Sequence, residues 1–311
     1  METVSETVTR SSSVKLIVTD IDNTVFDWVT YYVRSFEALL KKVESITGIP
    51  YERLASEARE VFTRHGSIEY PFLIQELPSI DQHYGNDIDR MLAEAVDPGR
   101  KTFLKTAESW LVPYKGVRET LEEMRRRLPE VPIVALTDAP RYVAMWKLNK
   151  LGLLPHFSAV YGLADPRIPT CERNGRVKVD PEILLKHLQQ SNFGFKGRIR
   201  ILPDEYEKPG TRGLKTVLMD YNLDEDPAHR GSVLWVGDNL RKDVGLGQRL
   251  GVRTAWARYG VLSDENLYRL LHEFSPVANV HKNASFAAGA PDAPQPTHTL
   301  GEFADLLNFL S

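Results

Sequence analysis

Short apolar runs alternate along this chain with stretches of helical periodicity, and this alternation limits the fold more than any other feature. The runs 15–19 (KLIVT), 131–137 (VPIVALT) and 232–237 (SVLWVG) are bounded by polar residues, which is typical of buried strands. Further strands are predicted in HFSAVYG, RIRIL and VRTAWA, with amphipathic stretches of about 10 to 15 residues between the runs. Because strands joined by crossover helices pair in parallel with a right-handed connection, the sequence predicts an α/β fold with a doubly wound parallel sheet.

The region between the first two runs has a different pattern. Apolar residues recur at helical spacing over 31–47, and Gly48 and Pro50 end that helix. Helical patterns continue through YERLASEAREVFTRHG, DIDRMLAEAV and KTFLKTAESWLV, without a convincing strand. The sequence therefore predicts an all-helical segment at about 29–112, inserted between two strands of the sheet.

Three segments near the ends of the chain are predicted from composition and periodicity. Residues 1–13 are rich in Ser, Thr and charge, which favours disorder. Residues 287–297 (AAGAPDAPQPT) are rich in Ala, Pro and Gly and are predicted to form an exposed, flexible loop. The segment LGEFADLLNFL is predicted to form a terminal helix.

Composition excludes several classes of protein. A net charge of −3 over 311 residues gives no overall basic field, so no nucleic-acid partner is expected. The one cysteine, Cys171, permits neither an intrachain disulfide nor a cysteine-based zinc site, and the eight histidines lack ligand spacing. No run reaches about 18 apolar residues and the N-terminus lacks the pattern of a secretory signal. We therefore expect a cytoplasmic enzyme with no membrane partner, and the sequence predicts no particular oligomeric state.

Pairs of carboxylates follow two of the predicted strands. Asp20 and Asp22 come after the first strand, and Asp238 and Asp243 come after the run 232–237. The carboxyl ends of parallel strands meet at one edge of a sheet, so these side chains are expected to lie close together. Carboxylates that are close repel each other unless a cation lies between them, and Mg²⁺ prefers such oxygen ligands. The alternative for each pair alone is turn chemistry, for which Asp is common after strands.

Two further features complete a candidate phosphate site. Thr137 and Asp138 follow the run 131–137, where a hydroxyl can donate to a phosphate oxygen or can instead cap a helix. A phosphate site with several carboxylates also needs a cation, and a lysine supplies one as a point charge. Lys208, in EKPG, is the favoured candidate because a single helix separates it from the strand that precedes Asp238. Lys178, in VKVDPEIL, is the alternative, and a solvated surface position is the ordinary interpretation of either lysine.

As a set, these segments resemble the motifs of the haloacid dehalogenase superfamily, in the order VTDIDNT, LTD, KPG and GDNLRKD. The resemblance covers about 14–260. It implies a Rossmann-like core formed by 14–28 and 113–311, and a helical cap formed by 29–112. The stretch 165–207 departs from the pattern because it is longer than in many members, and its VKVDPEIL also resembles the third motif. No motif matches beyond about 262.

The resemblance also implies a reaction. Asp20 would attack phosphorus, and Asp22 would protonate the leaving oxygen and later activate water against the aspartyl-phosphate. Phosphatases and phosphomutases of the superfamily have this second aspartate, whereas dehalogenases lack it. Thr137 would hold the phosphoryl group, and Lys208 would neutralise charge. Phosphate-binding residues are thus predicted to be Thr137, Asp138 and Lys208, with Lys178 as the alternative lysine. Metal-binding residues are predicted to be Asp20, Asp22, Asp238 and Asp243, the last of which would support the metal site or orient the lysine.

Three aromatic residues follow the first motif, Trp28, Tyr31 and Tyr32. They either line the substrate pocket or pack in the core of the first helix. The resulting prediction is a Mg²⁺-dependent phosphatase that acts on a small phosphorylated metabolite. The alternatives are a phosphomutase and a catalytically inactive binding or regulatory protein on the same scaffold.

Overall fold

A computed structural model describes residues 14–165, 192–261, 264–276 and 293–310 of the chain. The predicted disorder of 1–13, the alternative lysine at position 178 and most of the predicted loop 287–297 lie outside the described residues.

Seven parallel strands form one sheet in the described part of the chain, with the order β4-β3-β2-β1-β5-β6-β7. The strands are β1 Leu16–Thr19, β2 Ile133–Pro140, β3 Ala159–Leu163, β4 Arg198–Leu202, β5 Val233–Gly237, β6 Arg253–Ala257 and β7 His298–Leu300. Ile17 of β1 pairs with Ile133 on one side and with Leu234 on the other. The strand order reverses at β1, so the carboxyl ends of β1, β2 and β5 meet where such sheets bind ligands.

Helices cover both faces of this sheet. The α-helices are α1 Trp28–Thr47, α2 Tyr51–His65, α3 Pro78–Tyr84, α4 Ile88–Met91, α5 Asp97–Trp110, α6 Val117–Arg127, α7 Arg141–Lys150, α8 Arg212–Asp220, α9 Pro227–Arg230, α10 Gly245–Leu250 and α11 Glu265–Phe274. Ile17 of β1 faces the core formed with α6, α7 and α11, whereas Leu16 and Val18 face α8 and α10. The predicted doubly wound, Rossmann-like α/β fold is thereby confirmed.

Only helical elements occur in the described chain between α1 and α5, apart from the loops that join them. The Asp27 carboxylate accepts the Thr30 N–H at 2.9 Å and so caps the start of α1. Gly48 ends α1 with a φ of 71°, a conformation that residues with a side chain rarely adopt. These helices join β1 to β2 and place the loop around residues 66–69 above the carboxyl end of the sheet.

Short helical turns of other geometry occur at several places. Helices of the 3₁₀ type are Leu73–Glu76, Leu154–His156, Asp204–Tyr206, Arg258–Val261 and Phe303–Phe309, and π-helical turns are Leu92–Val96 and Leu240–Val244. In the described residues, no helix is both long enough and apolar enough to cross a membrane.

Three elements differ from the sequence-based prediction. The strand β2 continues through Thr137 and Asp138 to Pro140, with an irregular register after Leu136, so these two residues lie within the strand end. The strand β7 was not predicted, because three residues are too few to show a period of two. The predicted terminal helix is a 3₁₀ helix, Phe303–Phe309, which begins with a capping box between Glu302 and Asp305.

Candidate functional site

Asp20 lies just past the end of β1, at the point where the strand order reverses. Its backbone N–H donates to the Val236 carbonyl of β5 at 2.8 Å, which continues the ladder by one residue and fixes where the side chain emerges. The Asp20 side chain is nearly buried, and Lys208 Nζ lies 2.9 Å from its Oδ2 atom. The same ammonium lies 2.9 Å from Asp243 Oδ1, so Lys208 bridges two carboxylates that come from different strand ends.

This bridge lies in a buried environment that shifts the pKa of Asp20 and that of Lys208. Burial raises the pKa of Asp20 to about 7, and the Lys208 ammonium offsets part of that rise, while Asp243 adds to it. Burial acts to lower the pKa of Lys208, but Asp20 and Asp243 outweigh it and hold that pKa well above its usual value. Lys208 therefore remains charged at neutral pH.

Asp238 is the third member of a carboxylate cluster with Asp20 and Asp243. One oxygen from each residue lies within 4.8 Å of the others. The Asp238 side chain is buried and its Oδ2 atom has no hydrogen-bond partner, while the Asp238 carbonyl accepts the Trp256 indole N–H at 2.7 Å. Burial, followed by the charges of Asp243 and Asp20, raises the pKa of Asp238 well above its usual value. Three carboxylates with one ammonium leave a negative charge that a divalent cation would balance.

Asp243 differs from Asp238 because protein donors already satisfy both of its oxygens. Oδ1 receives the Lys208 ammonium, and Oδ2 accepts the Asn239 N–H at 2.9 Å. A Cβ atom at Gly237 would lie 2.3 Å from Asp243 Cγ, so this turn has room for glycine only. The local sequence thus brings Asp243 back over the end of β5, where it orients Lys208.

Asp22 lies on the other side of Asp20 and pairs with a second lysine. Lys147 Nζ, on α7, lies 2.9 Å from Asp22 Oδ1 and 3.2 Å from Oδ2. The same ammonium lies 2.6 Å from Glu69 Oε1, in the loop after α2. Burial acts to lower the pKa of Lys147, but Asp22 and Glu69 outweigh it and raise that pKa. Burial raises the pKa of Glu69, and Lys147 counteracts part of that rise.

Thr137 and Asp138, at the end of β2, contact the same region. The Thr137 side chain is nearly buried, and its hydroxyl oxygen accepts the Ala139 N–H at 3.1 Å, which leaves the hydroxyl proton free to donate. Asp138 accepts the backbone N–H of Lys208 at 2.9 Å through Oδ1 and the Lys242 ammonium at 3.1 Å through Oδ2. Asp138 therefore fixes the backbone that carries Lys208.

A cavity of about 180 Å³ opens over these side chains. Its lining includes the strand-end residues together with Trp28 and residues 66–69, which belong to the helical part of the chain. The lining residues are Asp20, Asp22, Asn23, Trp28, Gly66, Ser67, Ile68, Glu69, Thr137, Asp138, Ala139, Pro140, Glu207, Lys208, Asp238, Asn239, Lys242 and Asp243. Tyr31 and Tyr32 are not among them. Tyr32 stacks on Trp28 with ring centroids 5.1 Å apart and donates to the Ile68 carbonyl at 2.6 Å, so it supports the wall from behind.

The family model of the haloacid dehalogenase-like hydrolases matches residues 14–251, which is most of the chain. This chain belongs to the haloacid dehalogenase-like hydrolases. This match confirms the family that the motifs indicated, and it confirms that the chain is a hydrolase.

Solved structures that match this chain have low sequence identity and TM-scores below 0.5. A 2-haloacid dehalogenase from Pseudomonas syringae has 16% identity and a TM-score of 0.48, with 96% of this chain and 98% of that chain covered. A predicted phosphoglycolate phosphatase from Haemophilus somnus has 16% identity and a TM-score of 0.47, with the same coverage of 96% and 98%. A haloacid dehalogenase-like hydrolase from Streptococcus pneumoniae has 12% identity and a TM-score of 0.43, with 96% and 99% covered. Similarity at this level does not indicate a shared substrate or reaction. No curated protein matches the chain.

The structure brings together the residues that the hydrolase motifs predict. Asp20, Asp238, Asp243 and Lys208 lie in one cluster, Thr137 and Asp138 line the same cavity, and Asp22 faces it from the next turn. Lys208, the favoured lysine, contacts Asp20, whereas Lys178 lies outside the described residues. Of the three aromatic candidates, Trp28 lines the cavity and Tyr32 stacks on it. Tyr31 packs edge-on against Phe26 and Phe103.

Lys147 and Glu69 are among the residues that the sequence did not predict at the site. Lys147 is fully buried, and the sequence RYVAMWKLNK around it shows no clear polar face that would single it out. Glu69 lies in a loop of the helical segment, and only the folded chain brings it within 2.6 Å of Lys147. The one signal that could have identified Lys147 is its position on the helix that follows the second motif.

Proposed function

We propose that this hydrolase is a Mg²⁺-dependent phosphatase, which cleaves small phosphate monoesters through an aspartyl-phosphate on Asp20. The observation that carries the proposal is the arrangement around Asp20. One of its oxygens contacts Lys208, its carboxylate lies in the acidic cluster, and the cavity opens over it. An attacking carboxylate requires a cation beside it, a second cation for the phosphate charge, and room for a substrate. Lys208 supplies one cation, the acidic cluster would bind the other, and the cavity supplies the room.

The residues of the cluster fit Mg²⁺. Asp238 Oδ2 is a buried carboxylate oxygen without a hydrogen-bond partner, which is the kind of atom that a hard cation binds. Asp20 and Asp238 would hold the ion together with the Asp22 backbone carbonyl, while Asp243, whose oxygens both have protein donors, would orient Lys208. When bound, Mg²⁺ supplies positive charge that offsets the charges of the nucleophile and of the phosphoryl oxygens.

In the first step of the proposed reaction, an oxygen of Asp20 forms a bond to phosphorus while the bond from phosphorus to the leaving oxygen breaks. Asp22, two residues on, gives a proton to that oxygen, which leaves as an alcohol. Lys208 offsets the charge of the phosphoryl group, and the Thr137 hydroxyl donates to one of its oxygens. In the second step, Asp22 takes a proton from water, whose oxygen attacks the phosphorus of the aspartyl-phosphate and frees Asp20 and phosphate.

The helical segment 29–112 acts, in this proposal, as a cap. It contributes residues 66–69 to the wall of the cavity, and Trp28, directly before the segment, lines the same cavity. A volume of about 180 Å³ suits a small ester, and walls from both parts of the chain would exclude bulk water during the reaction. Asp22 favours phosphoryl transfer over dehalogenation, because an alkoxide leaving group needs a proton and a halide does not.

The test is release of inorganic phosphate from p-nitrophenyl phosphate and from a panel of phosphorylated metabolites, with Mg²⁺ and with a chelator. We expect hydrolysis that requires Mg²⁺ and that Asp20→Asn abolishes, while Asp97→Asn, an exposed aspartate outside the cavity, retains it. A phosphorylated protein that is acid-stable and lost in Asp20→Asn would identify the intermediate. If wild-type protein and Asp20→Asn released phosphate equally across the panel, the proposed function would be wrong.

A further inference from the structure

Lys147 is the largest charged side chain that is fully buried in the described residues, and the reaction proposed above does not use it. Its ammonium lies 2.9 and 3.2 Å from the two oxygens of Asp22, and 2.6 Å from Glu69 Oε1. The side chain of Lys147 has 0% exposure, while Asp22 retains 25% and Glu69 13%. The lysine is therefore hidden behind two carboxylates that both line the cavity.

Stability alone does not explain this lysine. Moving an ammonium out of water costs several kcal/mol, and apolar residues of similar volume often replace buried ion pairs without loss. The surroundings are in part apolar, because Lys147 Nζ also lies 5.9 Å from the centroid of the Phe26 ring, beside the core of α7. A charge kept in this position points to a role for the carboxylates that it contacts.

The contacts of Lys147 with Asp22 determine where that carboxylate points. An aspartate side chain turns freely about its last bond, and contacts from one ammonium to both oxygens restrict that rotation. Glu69 in turn restrains the ammonium from a different part of the chain, the loop after α2. Lys147 thus joins the helical segment to the residue that handles the proton.

We propose that Lys147 is a positioning residue for Asp22, and that Glu69 holds Lys147 in place for this task. The inference rests on the proposed function, because it concerns the orientation of the group that gives a proton to the leaving oxygen. Lys147 is not one of the described residues that line the cavity. It therefore acts through Asp22 and not on the substrate.

The test compares two classes of ester that differ in their need for that proton. p-Nitrophenolate leaves readily as an anion, whereas the alkoxide of an alkyl phosphate must be protonated as it leaves. The kcat/KM of both is measured with Mg²⁺ for wild type and Lys147→Met, with glycerol phosphate, phosphoethanolamine and a sugar phosphate as alkyl esters. Lys150→Met is the matched control, because Lys150 lies on the same helix with its side chain 48% exposed, and its ion-pair partner is Glu108, at 4.0 Å.

In Lys147→Met, the ratio of alkyl to aryl kcat/KM is expected to fall about tenfold or more. With the aryl ester, Lys147→Met should slow the second step, in which Asp22 activates water, so kcat and KM are expected to fall together. Their ratio, kcat/KM, should change little because it reports only the first transfer. Lys150→Met should keep the wild-type ratio. Glu69→Gln keeps an oxygen near Lys147 but removes the charge, and its ratio should fall by less than that of Lys147→Met.

If the role of Lys147 were purely structural, Lys147→Met would lower kcat/KM by the same factor for both classes of ester. An unchanged ratio of alkyl to aryl kcat/KM would therefore overturn the proposal. If Lys147→Met does not fold, Lys147→Met/Glu69→Gln replaces it, since that pair leaves only the partly exposed Asp22 without a partner. A wild type that cleaves the aryl ester and none of the alkyl esters would also refute the inference, because Asp22 would then supply no proton. A wild type that cleaves neither class would refute the proposed function itself.

Discussion

Replacing Lys208 with methionine tests how strongly the acidic cluster depends on its one buried cation. The change keeps most of the volume of the side chain and removes the charge that lies 2.9 Å from both Asp20 and Asp243. With an effective dielectric constant of about 20, each of these contacts has a Coulomb energy of about 6 kcal/mol. Desolvation of the ammonium offsets much of that energy, and removing one partner of a buried ion pair costs about 3–5 kcal/mol in practice.

We therefore expect Lys208→Met to lower the free energy of unfolding of the metal-free protein by about 3–5 kcal/mol. Urea denaturation followed by circular dichroism measures this quantity. Lys242→Met is the matched control, because Lys242 also contacts two carboxylates, Asp138 at 3.1 Å and Glu207 at 3.0 Å. The Lys242 side chain is 26% exposed and Glu207 is 55% exposed, so its loss should cost about 1 kcal/mol or less.

Mg²⁺ should reduce the loss in Lys208→Met, because a bound divalent cation would take over part of the missing positive charge. It should leave the Lys242→Met value nearly unchanged. If Lys208→Met destabilised the metal-free protein no more than Lys242→Met does, the electrostatic description of the cluster would be refuted. A decrease in the stability of Lys208→Met on addition of Mg²⁺ would also refute this description.

Three further predictions concern the same cluster. Asp238→Asn should raise the free energy of unfolding of the metal-free protein by about 1 kcal/mol or more, since it removes a buried carboxylate without a donor, and it should weaken Mg²⁺ binding measured by calorimetry. The pKa of Asp20, which burial raises to about 7, lies above its unfolded-state value of about 4, so the folded state retains a proton that the unfolded state releases. The stability that Asp20 contributes without metal should accordingly fall as pH rises from about 4 to about 7. Urea titrations in a chelator should show a steeper slope in wild type than in Asp20→Asn, in which Asp238 and Glu69, whose pKa values burial also raises, still contribute. Gly237→Ala should displace Asp243 and destabilise the protein by about 1–3 kcal/mol, since the new Cβ would lie 2.3 Å from Asp243 Cγ. Gly301→Ala, whose Cβ would have no neighbour closer than 3.4 Å, is the control, and equal stability of the two variants would contradict the steric argument.

The strand-end residues were predictable from the sequence because sheet topology fixes their positions. Once β1 and β5 are recognised as buried parallel strands, their carboxyl ends must be adjacent, and Asp20 and Asp238 follow from the register of the chain alone. Lys208 was predictable in kind, since a phosphate site with several carboxylates needs a cation. Its selection over Lys178 depended on chain order, and the structure places Lys208 Nζ 2.9 Å from Asp20 Oδ2.

Elements whose geometry depends on neighbours were less predictable. The three residues of β7 form a strand because β6 offers a free edge, with Ala255, Trp256 and Ala257 opposite His298, Thr299 and Leu300. No periodicity within so short a segment can show this pairing. The end of β2 similarly continues past Thr137 because β3 lies beside it, with Leu163 opposite Pro140.

Lys147 and Glu69 mark the limit of prediction from sequence for a further physical reason. A lysine is ordinarily solvated, so its residue type argues against burial unless the partners are known, and here the partners lie 125 and 78 positions away. The position of Glu69 depends on how α1 and α2 pack against each other and against α11, which local patterns do not determine. Motif order therefore identifies the groups that would touch phosphate. The groups that orient Asp22 arise from tertiary packing, and the leaving-group comparison for Lys147→Met is the measurement that reaches them.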